Sequence, residues 1–167
     1  VKSDRIGAQA RTTEPFMRQI FIARDAFNEA QFERKLYVTR KRVEKAVAES
    51  AIQGREHFYV SSLSAHTIVY KGLLLPHQMV AYYPDLTDER MVSALALVHS
   101  RFSTNTFPTW PRAHPYRYVC HNGEINTLWG NRNAMAAREA DVASPIWGND
   151  IERLKPVIWA AGSDSAG

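Results

Sequence analysis

The longest helical stripe in this 167-residue chain runs from Asn28 to about Ser50, and it limits what the other segments can be. Phe32, Leu36, Val43 and Val47 recur at spacings of four, seven and four, while Glu33, Arg34, Lys41, Arg42 and Glu44 fill the other face. Asn28 supplies the short acceptor side chain that caps a helix start. A helix with one apolar stripe must lay it on another layer, and the remaining apolar runs are short. Residues 17–23, 57–63, 67–71, 94–102 and 116–120 are rich in branched and aromatic side chains and read as strands. The second and third of these, divided by a few polar residues, predict an antiparallel hairpin. The fourth predicts a buried strand running into polar residues. Residues 77–83 predict a short helix closed by Pro84, and residues 126–139 a helix weakened by Gly130. Hairpin strands under helices indicate α+β layers rather than a doubly wound sheet.

Composition narrows the function classes. Cys120 is the single cysteine, which excludes an internal disulfide framework and favours a reducing compartment. The longest apolar stretch, Ser93-Ala-Leu-Ala-Leu-Val98, is too short to span a bilayer, and no hydrophobic signal core follows Val1-Lys-Ser-Asp-Arg. A soluble, cytoplasmic chain without a membrane partner is expected. The formal net charge of +4 suits anionic metabolites, and it is weaker than the clustered charge of nucleic-acid binders. Arg40-Lys-Arg42 is interrupted by Glu44 and Glu49 and reads as a solvated helix face. The termini, Val1 and Gly162-Ser-Asp-Ser-Ala-Gly167, predict an internal piece of a longer polypeptide, a single partial domain over residues 1–167.

Two polar motifs carry the candidate chemistry, each at the end of an apolar run. In His99-Ser-Arg-Phe-Ser-Thr-Asn105, Arg101 offers a planar fork that matches a carboxylate in two-pronged fashion, or a salt bridge to a structural acid. In His121-Asn-Gly-Glu-Ile-Asn126, the Asn122 amide and the Gly123 N–H can aim two donors at one spot, as an oxyanion hole requires, or can simply make a hairpin turn. Asp164, between Ser163 and Ser165, can receive a substrate ammonium or cap a helix. Cys120 beside His121 is the only thiol available for nucleophilic attack. Neighbours on a strand point to opposite faces, however, and an apolar run makes Cys120 a packed core thiol. The six histidines show no His-x-x-x-His spacing, and neither a metal site nor a nucleotide-binding glycine motif is indicated.

His99-Ser-Arg-Phe-Ser-Thr-Asn-Thr-Phe-Pro-Thr-Trp-Pro, then Pro115-Tyr-Arg-Tyr-Val-Cys-His-Asn-Gly-Glu-Ile-Asn-Thr and Gly130-Asn-Arg, closely resembles the glutamine amidotransferase domain of the glutamate synthase large subunit. Phe58-Tyr-Val-Ser-Ser-Leu-Ser, Tyr70-Lys-Gly-Leu and the closing Gly-Ser-Asp-Ser extend the likeness over most of the chain. The resemblance implies an N-terminal-nucleophile hydrolase, a four-layer αββα sandwich, of which this chain is a part. In that family a cysteine at the mature amino terminus attacks the glutamine side-chain amide. Carried over by motif, Arg101 would hold the α-carboxylate and Asp164 the α-ammonium. Thr104 and Asn105 would shape the pocket, and Asn122 with the Gly123 N–H would form the oxyanion hole.

The resemblance also implies L-glutamine as substrate, with ammonia passed on to 2-oxoglutarate. The remaining domains of the large subunit, and a small electron-donating subunit, are the implied partners. No cofactor is expected in this segment, whereas FMN and an iron–sulfur cluster are implied for the full protein. One departure stands out: the chain does not begin with cysteine, and Cys120 occupies the position just before His-Asn-Gly. The segment alone is therefore expected to be inactive. Two other readings remain, a self-contained thiol hydrolase using Cys120 and a noncatalytic binding module using the basic helix.

Overall fold

The helical stripe folds as its spacing predicts. A computed structural model describes residues 1–100, 107–121, 123 and 125–159. Among these lie α1 (Ala8–Arg11), α2 (Glu29–Glu49), α3 (Gln78–Tyr82), α4 (Leu128–Glu139) and α5 (Ile151–Leu154), with 3-10 turns at Ser3–Arg5, Arg55–His57, Pro84–Thr87 and Gly148–Asp150. The chain divides into two units, Val1–Phe21 with Val69–Gly123, and Ile22–Ile68 with Glu124–Gly167.

In the second unit, Asn28 caps α2 through a reciprocal pair. Its side-chain oxygen accepts from the Gln31 backbone N–H at 2.9 Å, and the Gln31 side-chain oxygen accepts from the Asn28 N–H at 3.1 Å. Two otherwise orphaned donors are satisfied at once. Phe32 and Leu36 are buried as expected, but Val38 joins them and Val43 is 42% exposed. The packing partner explains this shift. Helix α2 lies against α5, whose Leu154 is buried, and the Tyr37 ring meets Trp147 at 5.8 Å; Leu36 and Val38, two residues apart, point to opposite sides, so the helix is covered beyond its single predicted stripe.

The basic cluster on α2 is a correction of a different kind. Arg40 pairs with Glu44 at 2.8 Å, and the Lys41 ammonium donates to the Pro156 carbonyl at 2.6 Å. Burial pulls the Lys41 pKa below the ordinary lysine value, against the opposing pull of Glu44. Two of the three cations are thus engaged within the unit rather than displayed to solvent. Glu33, on the same helix, clamps the polar link after residue 63. It accepts from the Ser64 hydroxyl at 2.9 Å and from the Ala65 N–H, while Ser64 Oγ accepts from the N–H groups of His66 and Thr67.

The first unit packs around aromatic rings. Tyr82 is fully buried and donates to a Glu14 carboxylate oxygen at 2.5 Å, and Trp110 donates its indole N–H to the Ala10 carbonyl at 3.2 Å. Tyr82 and Tyr83 meet edge to face at 4.7 Å, and Tyr82 and Trp110 at 5.9 Å. Gly72 is required here. A Cβ on it would stand 2.4 Å from the Trp110 ring. The expected short helix over 77–83 is α3, and Pro84 opens the next turn. Helix α4 tolerates Gly130 and starts two residues later than expected.

The strands are where the expectation fails. Among the described residues no β-ladder forms, so the described parts of 17–23, 57–63, 67–71, 94–102 and 116–120 are not paired strands, and the hairpin is absent. The described residues show helices joined by extended segments, and the layered sheets of the α+β expectation are not seen among them. The cause is the non-local nature of a ladder. A helix satisfies its N–H and C=O groups within itself, whereas a strand needs a second backbone about 4.8 Å away. Phe21 is 86% exposed and Val98 80%, so the first and fourth runs bury no face that would set a register. Residues 116–119 instead close on themselves: Tyr116 and Val119 exchange backbone hydrogen bonds at 2.9 and 3.4 Å. No helix among the described residues is long and apolar enough to cross a membrane.

Candidate functional site

Site residues named by motif fall on both sides of what the structure describes. Arg101, Thr104, Asn105, Asn122 and Asp164 lie outside the described residues, as do residues 101 and 102 of the expected fourth strand. Gly123 is described and exposed. A Cβ placed on it would stand 3.5 Å from His121 Nδ1, so the imidazole lies on the side where a side chain at this position would project.

Around these motifs the first unit assembles a group of rings that sequence reasoning missed. His114 stacks on His99 with centroids 4.5 Å apart and planes 29° from parallel. It meets His121 edge to face at 5.8 Å and Tyr116 edge to face at 5.0 Å. Three segments separated by fifteen and seven residues in sequence therefore converge on one imidazole. The rings touch through faces and edges, and among the described residues no group of three or more His, Cys, Asp or Glu side chains is arranged to hold a metal ion.

The ring group is tied to the unit's core by a buried cation. Lys71 is only 6% exposed, donates to the Pro111 carbonyl at 2.6 Å, and places its ammonium 4.7 Å from the centre of the Tyr116 ring. Tyr83 donates to the Lys71 carbonyl at 2.7 Å, and the Tyr116 hydroxyl donates to the Arg112 carbonyl at 3.1 Å. A signal for Lys71 was present in the sequence: a lysine inside the run Val69-Tyr-Lys-Gly72 must find acceptors if the run is buried. Nothing in residue spacing marked His114, because its partners come from different segments.

Cys120 is half-buried, not the fully packed core thiol expected, and its sulfur approaches the Val98 carbonyl at 3.9 Å. A carbonyl can accept an S–H hydrogen bond but cannot take the proton, so this contact does nothing to generate a thiolate. An iron–sulfur cluster requires several thiolates, and the chain has one cysteine. These residues do not fit such a group.

A family model described as glutamine amidotransferases class-II matches residues 1–167. The chain is 54% identical over 168 residues to the glutamate synthase [NADPH] large chain of Bacillus subtilis (strain 168), with 99% of the chain and 11% of the relative covered. It is 47% identical over 166 residues to the corresponding large chain of Azospirillum brasilense, again with 99% and 11% covered. Against the glutamate synthase [NADH] of Saccharomyces cerevisiae (strain ATCC 204508 / S288c), identity is 47% over 174 residues, covering 99% of the chain and 8% of the relative. The chain thus spans about a tenth of the length of these relatives.

Proposed function

The chain belongs to the class-II glutamine amidotransferases, and from that premise we propose that it is the glutamine-binding and oxyanion-stabilising portion of a glutamate synthase glutaminase domain. The observation that carries the reading is the match of the whole chain to that family, with both polar motifs inside the matched stretch. Convergence of His99 and His121 on His114 supports it, because these residues lead directly into the two motifs.

In this reading L-glutamine is hydrolysed to glutamate and ammonia. Arg101 grips the α-carboxylate with two parallel N–H donors, and Asp164 receives the α-ammonium. Thr104 and Asn105 shape the pocket between them. As a nucleophile adds to the side-chain amide, the amide oxygen gains negative charge, which the Asn122 amide and the Gly123 N–H stabilise. An amino-terminal cysteine of the family type attacks. Cys120 has no such role, so this stretch by itself does not hydrolyse glutamine. The αββα sandwich belongs to the complete domain in this reading. Ammonia goes on to 2-oxoglutarate in a cytoplasmic enzyme that holds FMN and an iron–sulfur cluster in its other domains and takes electrons through a partner subunit.

The test uses the full-length protein that carries this chain. Asn122→Ala removes one oxyanion donor and leaves the carboxylate grip in place, so kcat should fall about 10²–10³-fold, roughly 2.7–4 kcal/mol, with little change in KM. A folded Asn122→Ala protein with normal turnover would remove the oxyanion assignment. Glutamine hydrolysis that survives in the present chain alone and disappears in Cys120→Ala would favour the thiol-hydrolase reading instead.

A further inference from the structure

We propose that His114 is a positioning residue for amide hydrolysis, acting through His121 on the Gly123 N–H. The inference rests on the glutaminase reading above and deepens it. His114 stacks on His99 at 4.5 Å and presses edge to face on His121 at 5.8 Å. His121 Nδ1 in turn stands 3.5 Å from where a Cβ on Gly123 would be. One imidazole thus sets the His121 ring beside Gly123, whose N–H is the oxyanion donor in this reading, and links it to His99.

The mount behind His114 is well anchored. Tyr116 meets its edge at 5.0 Å, the buried Lys71 ammonium sits 4.7 Å from the Tyr116 ring, and Lys71 is bonded to Pro111. Trp110, buried and hydrogen-bonded to Ala10, anchors the residue before Pro111. Rings in stacked and edge-on contact have defined relative orientations, which an aliphatic side chain of equal bulk does not reproduce. An oxyanion donor is effective only where its N–H is aimed in advance, so a turn free to tilt loses transition-state stabilisation while glutamine still binds.

The experiment compares His114→Ala, His114→Leu and His114→Phe in the full-length protein, measuring glutamine kcat and KM, melting temperature, and the imidazole proton resonances of His99 and His121. Ala and Leu should lower kcat about 10-fold to 10²-fold with KM nearly unchanged. Phe, which restores a ring with face and edge, should recover most of the lost kcat. The His99 and His121 resonances should move in Ala and Leu, where the neighbouring ring is gone. Normal kcat in Leu overturns the inference, as does a folded Phe protein no better than Leu, or a KM that rises as far as kcat falls. These failures leave wild-type turnover intact. A wild-type protein that does not hydrolyse glutamine would overturn the glutaminase reading itself, and this inference with it.

Discussion

Helix α2 and the described residues 107–121 are built on different principles. Every bond that starts α2 lies within four residues of Asn28, and the capping pair Asn28 and Gln31 can be read from adjacent letters. The second stretch adds to its local turns bonds that reach far along the chain. Trp110 reaches back a hundred residues to Ala10, Lys71 reaches forward forty to Pro111, and His114 draws its partners from three places. Local bonds make structure that survives small changes nearby. Long-range anchors concentrate the stability of a loop in a few side chains, and removing one is costly.

The largest effect should come from the principal anchor. Trp110→Ala empties a site that is 2% exposed and removes a hydrogen bond to Ala10, so unfolding free energy should fall by about 3–5 kcal/mol. Denaturant titration measures this, and amide exchange should quicken in α3 and around residues 107–113. A loss under about 1 kcal/mol would show that the ring is not what holds the loop.

Gly72→Ala approaches the same anchor from the other side. The new methyl would overlap the Trp110 ring at 2.4 Å, and overpacking of this kind costs about 1–3 kcal/mol. Made in a Trp110→Leu background, the same change should cost much less, because the overlapping atoms are gone. Equal cost in both backgrounds would mean that Gly72 serves its own backbone and not the ring.

In the self-contained region the effect should be smaller and confined. Asn28→Ala removes one half of the capping pair and should cost about 1 kcal/mol, with faster exchange limited to the first turn of α2, while Asn28→Ser keeps most of the cap. Exchange quickening along the whole helix would contradict the local account.

An effect confined to alkaline pH concerns Tyr59, in a run that the sequence marks as a strand. Burial pushes its phenol up from 10.0 to about 12, partly offset by a hydrogen bond to Ser61. A raised folded pKa means that the folded state favours the neutral phenol. The resulting stability is complete below pH 10 and declines as pH rises from about 10 to about 12, since the unfolded chain ionises first. Phenolate absorbance and stability followed together across that range would show the decline, and Tyr59→Phe should flatten it.

Legibility in the sequence followed the same division. The cap at Asn28, the short helix before Pro84 and the helix around Gly130 were all readable, because helical hydrogen bonding is set by neighbours three and four residues apart. The apolar runs at 17–23, 57–63, 67–71, 94–102 and 116–120 carried the composition of strands, yet composition supplies no partner backbone, and their described residues form no ladder. Motif residues Arg101, Thr104, Asn105, Asn122 and Asp164 were readable as chemistry by residue type and order alone, and lie outside the described residues.

By itself, then, the sequence determined α2, α3 and α4 but not the short α1 and α5, along with the single thiol, the absence of disulfide staples and the family to which the two polar motifs point. Tertiary structure alone decided that Val38 is buried and Val43 exposed, that Lys41 is desolvated against Pro156, and that Lys71, Tyr116 and three histidines form one group. The physical reason is reach. Helix periodicity and capping act over one or two turns of chain, but burial and ring contact depend on which distant segment arrives, and no local spacing encodes that arrival.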